Sequence, residues 1–165
     1  MSVNTAREGH QYPPAEPYQV SREAVREFAA AVKAEHRAHY EVDAAELLGH
    51  ADLVAPPSFA VVVAQRAEAA AIEDPELGVD FSRVVHADER FTHHSPILAG
   101  DTLHAQVTVD RIRVMGAGAM VTTKVEITTP EGELRSTVTS SLLVRADEEN
   151  AAEENAAGQN EEAAA

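Results

Sequence analysis

Residues 34–41 read AEHRAHYE. Glu35, His36 and His39 are three groups able to carry a proton, and Tyr40 adds a phenol beside them. Imidazole titrates near neutrality, so Glu35 with His36 or His39 could perform general acid–base chemistry. The same residues admit a metal, because HRAH sets two imidazoles at i and i+3. The order E-H-x-x-H is not the H-E-x-x-H of helical zinc sites, however, and no third ligand is marked. No metal is therefore expected, and no cofactor signature stands elsewhere. A third reading places Glu35 and both histidines at a polar helix end facing water, where charged side chains mostly lie. His93 and His94 form a second pair. Adjacent strand residues face opposite sides, so at most one of them should enter any given pocket.

Whichever reading holds, helices and strands must position these groups. SREAVREFAAAVKAE predicts a helix capped by Ser21, with Glu23 in its first turn and Val25, Phe28, Ala29 and Val32 on one face. It should fray near residues 34–41. DAAELLGH predicts a short helical turn closed by Gly49. In DLVAPPSFAVVVAQRAEAAAIEDP, Pro56 and Pro57 suit a first turn, and Ser58 to about Ile72 is apolar nearly all round. Such a helix is expected to be buried on all sides. The wrapping must come from FSRVVHADERFTHH, DTLHAQVTVDRIRVM, AMVTTKVEITTP and ELRSTVTSSLLVRA, four β-rich runs with stretches of alternation. GAG at 116–118 and PEG at 130–132 are turns between antiparallel neighbours. The expected fold is α+β: a single antiparallel sheet, a meander of four or five strands, curved around one central helix.

Composition sets the limits. The chain has 165 residues, 44% hydrophobic and 25% charged, enough for one domain with an aliphatic core. Residues 1–20 read as an extended lead-in, 21–146 as the folded domain and 147–165 as a disordered tail. The tail carries seven acids and no base, which suits a solubilising terminus or, alternatively, a recruitment segment. The net charge of −15 makes nucleic acid an unfavourable partner, since phosphate contacts need clustered Lys and Arg. No apolar run approaches the roughly 20 residues that span a bilayer, the first residues lack the apolar core of a secretory signal, and cysteine is absent. A cytoplasmic location is the expectation.

RFTHHSPILAGDTLHAQVTV resembles the strand–loop–strand of MaoC-like hot-dog proteins, whose loop reads P-x-x-x-G-D-x-L. Pro96, Gly100, Asp101 and Leu103 occupy that pattern here. DLVAPPSF resembles the entry to the family's central helix. With FAAAVKAEHRAHYE and EGELRSTVTSSLLVRA, the similarity covers about residues 17–146. It runs closest to the HadA-type subunit of actinobacterial (3R)-hydroxyacyl-ACP dehydratase and to related MaoC N-terminal-type proteins. The resemblance implies a hot-dog fold and an acyl-thioester ligand, on a carrier protein or CoA. It implies substrate-binding roles for Ala55, Pro56, Pro57, Ser58, Phe59 and Gly100. Backbone amides at Ser58 and Phe59 could polarise a thioester carbonyl, although local capping is the competing reading; for Gly100 and Asp101 the competing reading is ordinary turn chemistry.

Catalytic members carry Asp and His in a pattern close to G-D-x-N-P-x-H. Aligned on FAAAV and LVAPPSF, the Asp position falls near Glu35 and the His position near Tyr40, so His36 and His39 are each one residue off. The resemblance therefore implies a subunit that binds the acyl chain and leaves chemistry to a dyad-bearing hot-dog partner. The alternatives are a self-sufficient hydratase using Glu35 with His36 or His39, and a non-enzymatic homodimer that binds acyl thioesters. Pairing with a copy or a different chain is expected in every case, because a small sheet leaves an edge to cover.

Overall fold

A computed structural model describes residues 3–116 and 118–145. The acidic run expected to be disordered, 147–165, lies outside the described residues. The first helix, α1 (Arg22–Ala31), begins where its cap predicts: the Ser21 hydroxyl accepts from the Ala24 amide at 3.0 Å. Val25 and Ala29 are fully buried, and Phe28 packs against the core. Val32 is not part of this face. The Ala34 amide reaches Ala29 O and the Lys33 amide reaches Ala30 O, with Lys33 at φ 57°. This left-handed closure ends the helix before Val32 and turns its side chain outward. Residues 34–41 are accordingly a separate turn, not a fraying helix end. A similar closure at Gly49, φ 85°, follows α2 (Val42–Glu46).

Pro57–Phe59 form a tight turn that leads into α3 (Ala60–Ile72). Ala60, Val63, Ala64, Ala67 and Ala71 are buried at helical spacing, and their small side chains let α3 lie close on the sheet. Burial on all sides is not observed. Gln65, Arg66 and Ala70 are exposed and Val61 and Val62 half-buried, because the sheet covers one side of the helix only. Phe59 anchors the entry. Its ring is 1% exposed and meets Phe28 edge-on at 5.3 Å and Tyr18 at 6.2 Å.

Five strands follow the order β1-β3-β4-β5-β2, with every pair antiparallel: β1 (Tyr18–Gln19), β2 (Val84–His93), β3 (Thr102–Val114), β4 (Gly118–Thr128) and β5 (Leu134–Arg145). The α+β expectation of a curved sheet on a central helix is met. The simple meander is not, since only β3-β4-β5 follow one another. β2 pairs with β5 at the far edge, and residues 94–101 carry the chain back to β3. Alternation on β3 buries Leu103, Ala105, Val107 and Val109; a register slip near Asp110 then brings Ile112 inward.

The lead-in closes one side of this sheet. The Gly9, Tyr12 and Ala15 amides donate to Val109, Val107 and Ala105 along the outer edge of β3. Arg7 and Tyr12 both donate to the Asp74 carboxylate, tying the lead-in to the segment after α3. β2 has no strand on its outer edge among the described residues. Because Phe59 joins α1, β1 and α3, Phe59→Ala is expected to destabilise the fold by about 3–5 kcal/mol, the usual range for a buried aromatic truncation. Urea denaturation of the two proteins checks it.

Candidate functional site

Three loops meet at the backbone of Val54. Its amide donates to Ala38 O at 3.0 Å, and its carbonyl accepts from His39 Nδ1 at 2.6 Å. On its other side Val54 bridges Leu98, flanked by Ala55 N to Ile97 O and Ala99 N to Leu53 O, both 2.9 Å. The segments 34–41, 52–59 and 94–101, far apart in sequence, are thereby zipped together. Asp52 fixes the approach. Its carboxylate takes a forked pair of hydrogen bonds from Arg22 of α1 and one from the Leu53 amide. The Arg22 guanidinium, with smaller help from that amide, holds the Asp52 carboxyl below its usual range.

The junction frames a pocket of about 300 Å³. Its walls are Val54, Ala55, Pro56 and Pro57 on one side and His93 to Ile97 on the other. Ala55, Pro56 and Pro57 thus line this pocket. Both His93 and His94 line this pocket, contrary to the expectation that at most one would. β2 ends at His93, so His94 has left the pleat that would have turned it away. His93 Nδ1 contacts Ser136 Oγ at 2.9 Å, and His94 Nε2 contacts Thr137 Oγ1 at 3.1 Å. The His93 ring also stacks with Phe91, its planes 3° apart. Sequence reasoning gave these histidines no role in the site. The strand end that frees His94 was the missing signal, and HHSP hints at it because a residue shortly before proline leaves regular structure easily.

Ser58, Phe59 and Gly100 are outside the pocket walls. Phe59 is sealed in the core, and its amide donates to Pro56 O at 2.8 Å, so local capping engages it. Ser58 is half-buried on the turn behind Pro57. Gly100 belongs to a separate polar recess with Asp101, Thr129 and Arg135. Its φ of 93° demands glycine while a Cβ there would meet nothing within 4 Å. The Gly100 amide donates to Val20 O, Asp101 accepts from the Leu98 amide, and Arg135 pairs with Asp101 at 3.4 Å. This is turn chemistry that also fastens β1.

The rings of the opening cluster stay near one another, His39 lying 6.1 Å from His36 and 6.5 Å from Tyr40, but their polar atoms take different partners. Glu35 is exposed. His36 is exposed and caps the 37–39 turn, its Nδ1 accepting from the Ala38 amide at 3.2 Å. The Tyr40 hydroxyl donates to Ala34 O at 2.9 Å, closing the loop on itself. His39 alone reaches the junction, standing behind the pocket wall with Nδ1 committed to Val54. Among the described residues no group of three or more His, Asp or Glu could hold a metal ion. No helix there is long and apolar enough to cross a membrane.

Comparison with known proteins follows the same lines. Residues 6–137 match the family model described as FAS1-like, dehydratase domain region. A UPF0336 protein of Leifsonia xyli subsp. xyli is 48% identical over 148 residues, covering 90% of this chain and 99% of the relative. A UPF0336 protein of Saccharopolyspora erythraea is 45% identical over 145 residues, covering 88% and 93%. Among solved structures, a chain of the C-terminally truncated HadBC (3R-hydroxyacyl-ACP dehydratase) complex of Mycobacterium tuberculosis aligns with a TM-score of 0.76 and 31% identity, covering 87% of this chain and 99% of that one. A MaoC-like dehydratase aligns with a TM-score of 0.80 and 34% identity over 87% of this chain, which spans 44% of that longer protein. The ChsH1–ChsH2 complex of M. tuberculosis shares the fold, with a TM-score of 0.62 at 15% identity. The chain belongs to the FAS1-like dehydratase family and has the MaoC-like hot-dog fold.

Two measurements follow from this geometry. A carbonyl can only accept, so His39 should be the Nδ1–H tautomer, while His36, whose Nδ1 accepts, should be the Nε2–H tautomer. Long-range ¹H–¹⁵N correlation at about pH 8 distinguishes the two tautomers. Asp52, with its carboxyl held below the unfolded value, contributes stability above that value and loses it as pH falls through the folded one. Asp52→Asn should therefore be less stable than the parent at neutral pH and converge with it at about pH 2 in urea titrations.

Proposed function

We propose that this chain is the acyl-thioester-binding subunit of a (3R)-3-hydroxyacyl-ACP or -CoA dehydratase and that a second hot-dog subunit performs the chemistry. The observation that carries this reading is the state of the two dyad positions. Glu35 lies in solvent, and the Tyr40 hydroxyl is turned back onto Ala34 O. Elimination needs one group to take the Cα proton and another to protonate the departing Cβ oxygen, both within hydrogen-bond reach of the substrate. Neither residue has the placement for that work. The pocket beside Ala55–Pro57, by contrast, offers a largely apolar lining that also includes His93, His94 and Ser95. The likeness to a chain of the HadBC complex supports a subunit that works beside another.

A second reading has one specific observation in its favour. Val54 O fixes His39 by its Nδ1, which leaves Nε2 as a free base in the neutral ring. A self-sufficient hydratase would then draw on His39, with Glu35 or His36 as its helper. Location in the cytoplasm goes with either reading, where acyl carriers would be met.

Hydration of a crotonyl or longer enoyl thioester separates them. The isolated chain is expected to show no turnover above background. Mixing it with a hot-dog protein of the same genome that carries an intact G-D-x-N-P-x-H segment should restore hydration. Strong turnover by the isolated chain that disappears in His39→Ala would establish the second reading. Thermal stabilisation by acyl thioesters without turnover in either format would identify a binding protein alone.

A further inference from the structure

Three successive residues of β5 hold three successive residues of the pocket lining. Ser136 Oγ contacts His93 Nδ1 at 2.9 Å, and Thr137 Oγ1 contacts His94 Nε2 at 3.1 Å. Arg135 Nη1 donates to Ser95 Oγ at 2.9 Å, and the Arg135 carbonyl accepts from the His94 and Ser95 amides at 2.9 and 3.2 Å. The arrangement follows from the sheet. β2 pairs His93 with Ser136 and ends there, so Arg135 receives the two amides that leave the ladder. The anchors are themselves fixed. Ser136 is fully buried, and the Arg135 guanidinium is braced by Asp101 at 3.4 Å and Glu133 at 3.2 Å.

Anchoring takes one nitrogen from each ring. Among the described residues, His93 Nε2 and His94 Nδ1 have no protein partner, and both residues are open to solvent. The backbone offers the pocket little. The Val54, Ala55, His94 and Ser95 amides all donate to carbonyls, and the three prolines of the lining have no N–H. Binding of a polar atom in this otherwise apolar pocket therefore falls to the side chains of residues 93–95. A neutral imidazole has one donor and one acceptor nitrogen. Ser95 Oγ directs its own proton to Leu134 O at 3.4 Å, which leaves it an acceptor. A hydroxyl donates and accepts at a single atom, so it can serve these groups in either tautomer of each ring. A carbonyl only accepts, and an alkyl group does neither.

We propose that His93 and His94 are specificity-determining residues that hydrogen-bond a hydroxyl on the bound acyl chain, and that Arg135, Ser136 and Thr137 are the positioning residues behind them. The inference rests on the acyl-thioester reading above and names the side chains that choose among acyl groups. A chain without the hydroxyl displaces water from the two imidazole nitrogens and returns no hydrogen bond, so it binds less well. Fixing each ring by its other nitrogen matters because a free-swinging imidazole would have to be ordered on every binding event.

The test is calorimetric titration of the full chain at about pH 8, where the rings are neutral, with (3R)-3-hydroxybutyryl-CoA and with butyryl-CoA. The parent should bind the hydroxylated thioester about tenfold more tightly, the yield of roughly two net hydrogen bonds. His93→Phe and His94→Phe should each lower this ratio, and the double variant should bring it close to one. His94→Gln keeps a donor and an acceptor and should restore part of the preference. Ser136→Ala and Thr137→Val, which act only through the rings, should each lower the ratio about threefold. A pocket that is merely loosened loses both ligands in proportion and keeps the ratio, so a purely structural role would not give this result. Equal affinity of the parent for the two thioesters, or a preference that survives in the double Phe variant, would overturn the inference and leave the proposed function standing. Failure of the parent to bind either thioester would overturn it together with the acyl-binding reading.

Discussion

The backbone of Val54 is the constraint on which the rest of the candidate site depends. One peptide unit satisfies donors and acceptors from two other loops, while the next residues pair with Ile97 and Leu98. Buried backbone groups must be paired, so the three loops cannot move independently without leaving amides unsatisfied. The two prolines that follow deny their own amides to this network and start the turn into α3 at a fixed φ. Pocket walls and helix entry are thus determined together. Arg22–Asp52 extends the same bracing to α1, and Phe59 extends it to the core.

α3 sits on an inner sheet face that is aliphatic around Val63 and Ala67 but polar around Glu68. The aliphatic part is what an alanine-rich helix needs for close packing against β3 and β4. The polar row Thr123–Ser140–Glu89 is costly to bury and does nothing for the helix face it meets except through the bond to Glu68. It lies toward β2, whereas the opposite edge is covered by the lead-in and β1. Among the described residues β2 has no strand on its outer edge.

Residues 34–41 show how residue types can mislead when their geometry is unknown. His36 and His39 are three apart, yet one caps a turn from outside and the other is locked against a carbonyl. Their roles diverge because Lys33 adopts a left-handed conformation and ends α1 early, which sets the following turn at an angle no helical wheel would give. Lys33 carries no sequence signal for that state, unlike Gly49. Glu35 is exposed and the Tyr40 hydroxyl is bonded to Ala34 O, so neither side chain lines the pocket beside Ala55.

The sequence by itself determined the fold class, the cap at Ser21, the turn before α3, the turn at 130–132, and the family. Each of these rests on local conformational preference, apolar periodicity, or a motif short enough to read along the chain. Only the tertiary structure decided that β2 lies beside β5, that His94 joins the pocket, that Phe59 serves the core, and that His86 and Glu89, on either side of a register slip in β2, meet under α3. Those outcomes depend on a crossover, a strand end and a bulge. Each is a small backbone displacement that composition does not encode, and each moves a side chain from one face of the molecule to another.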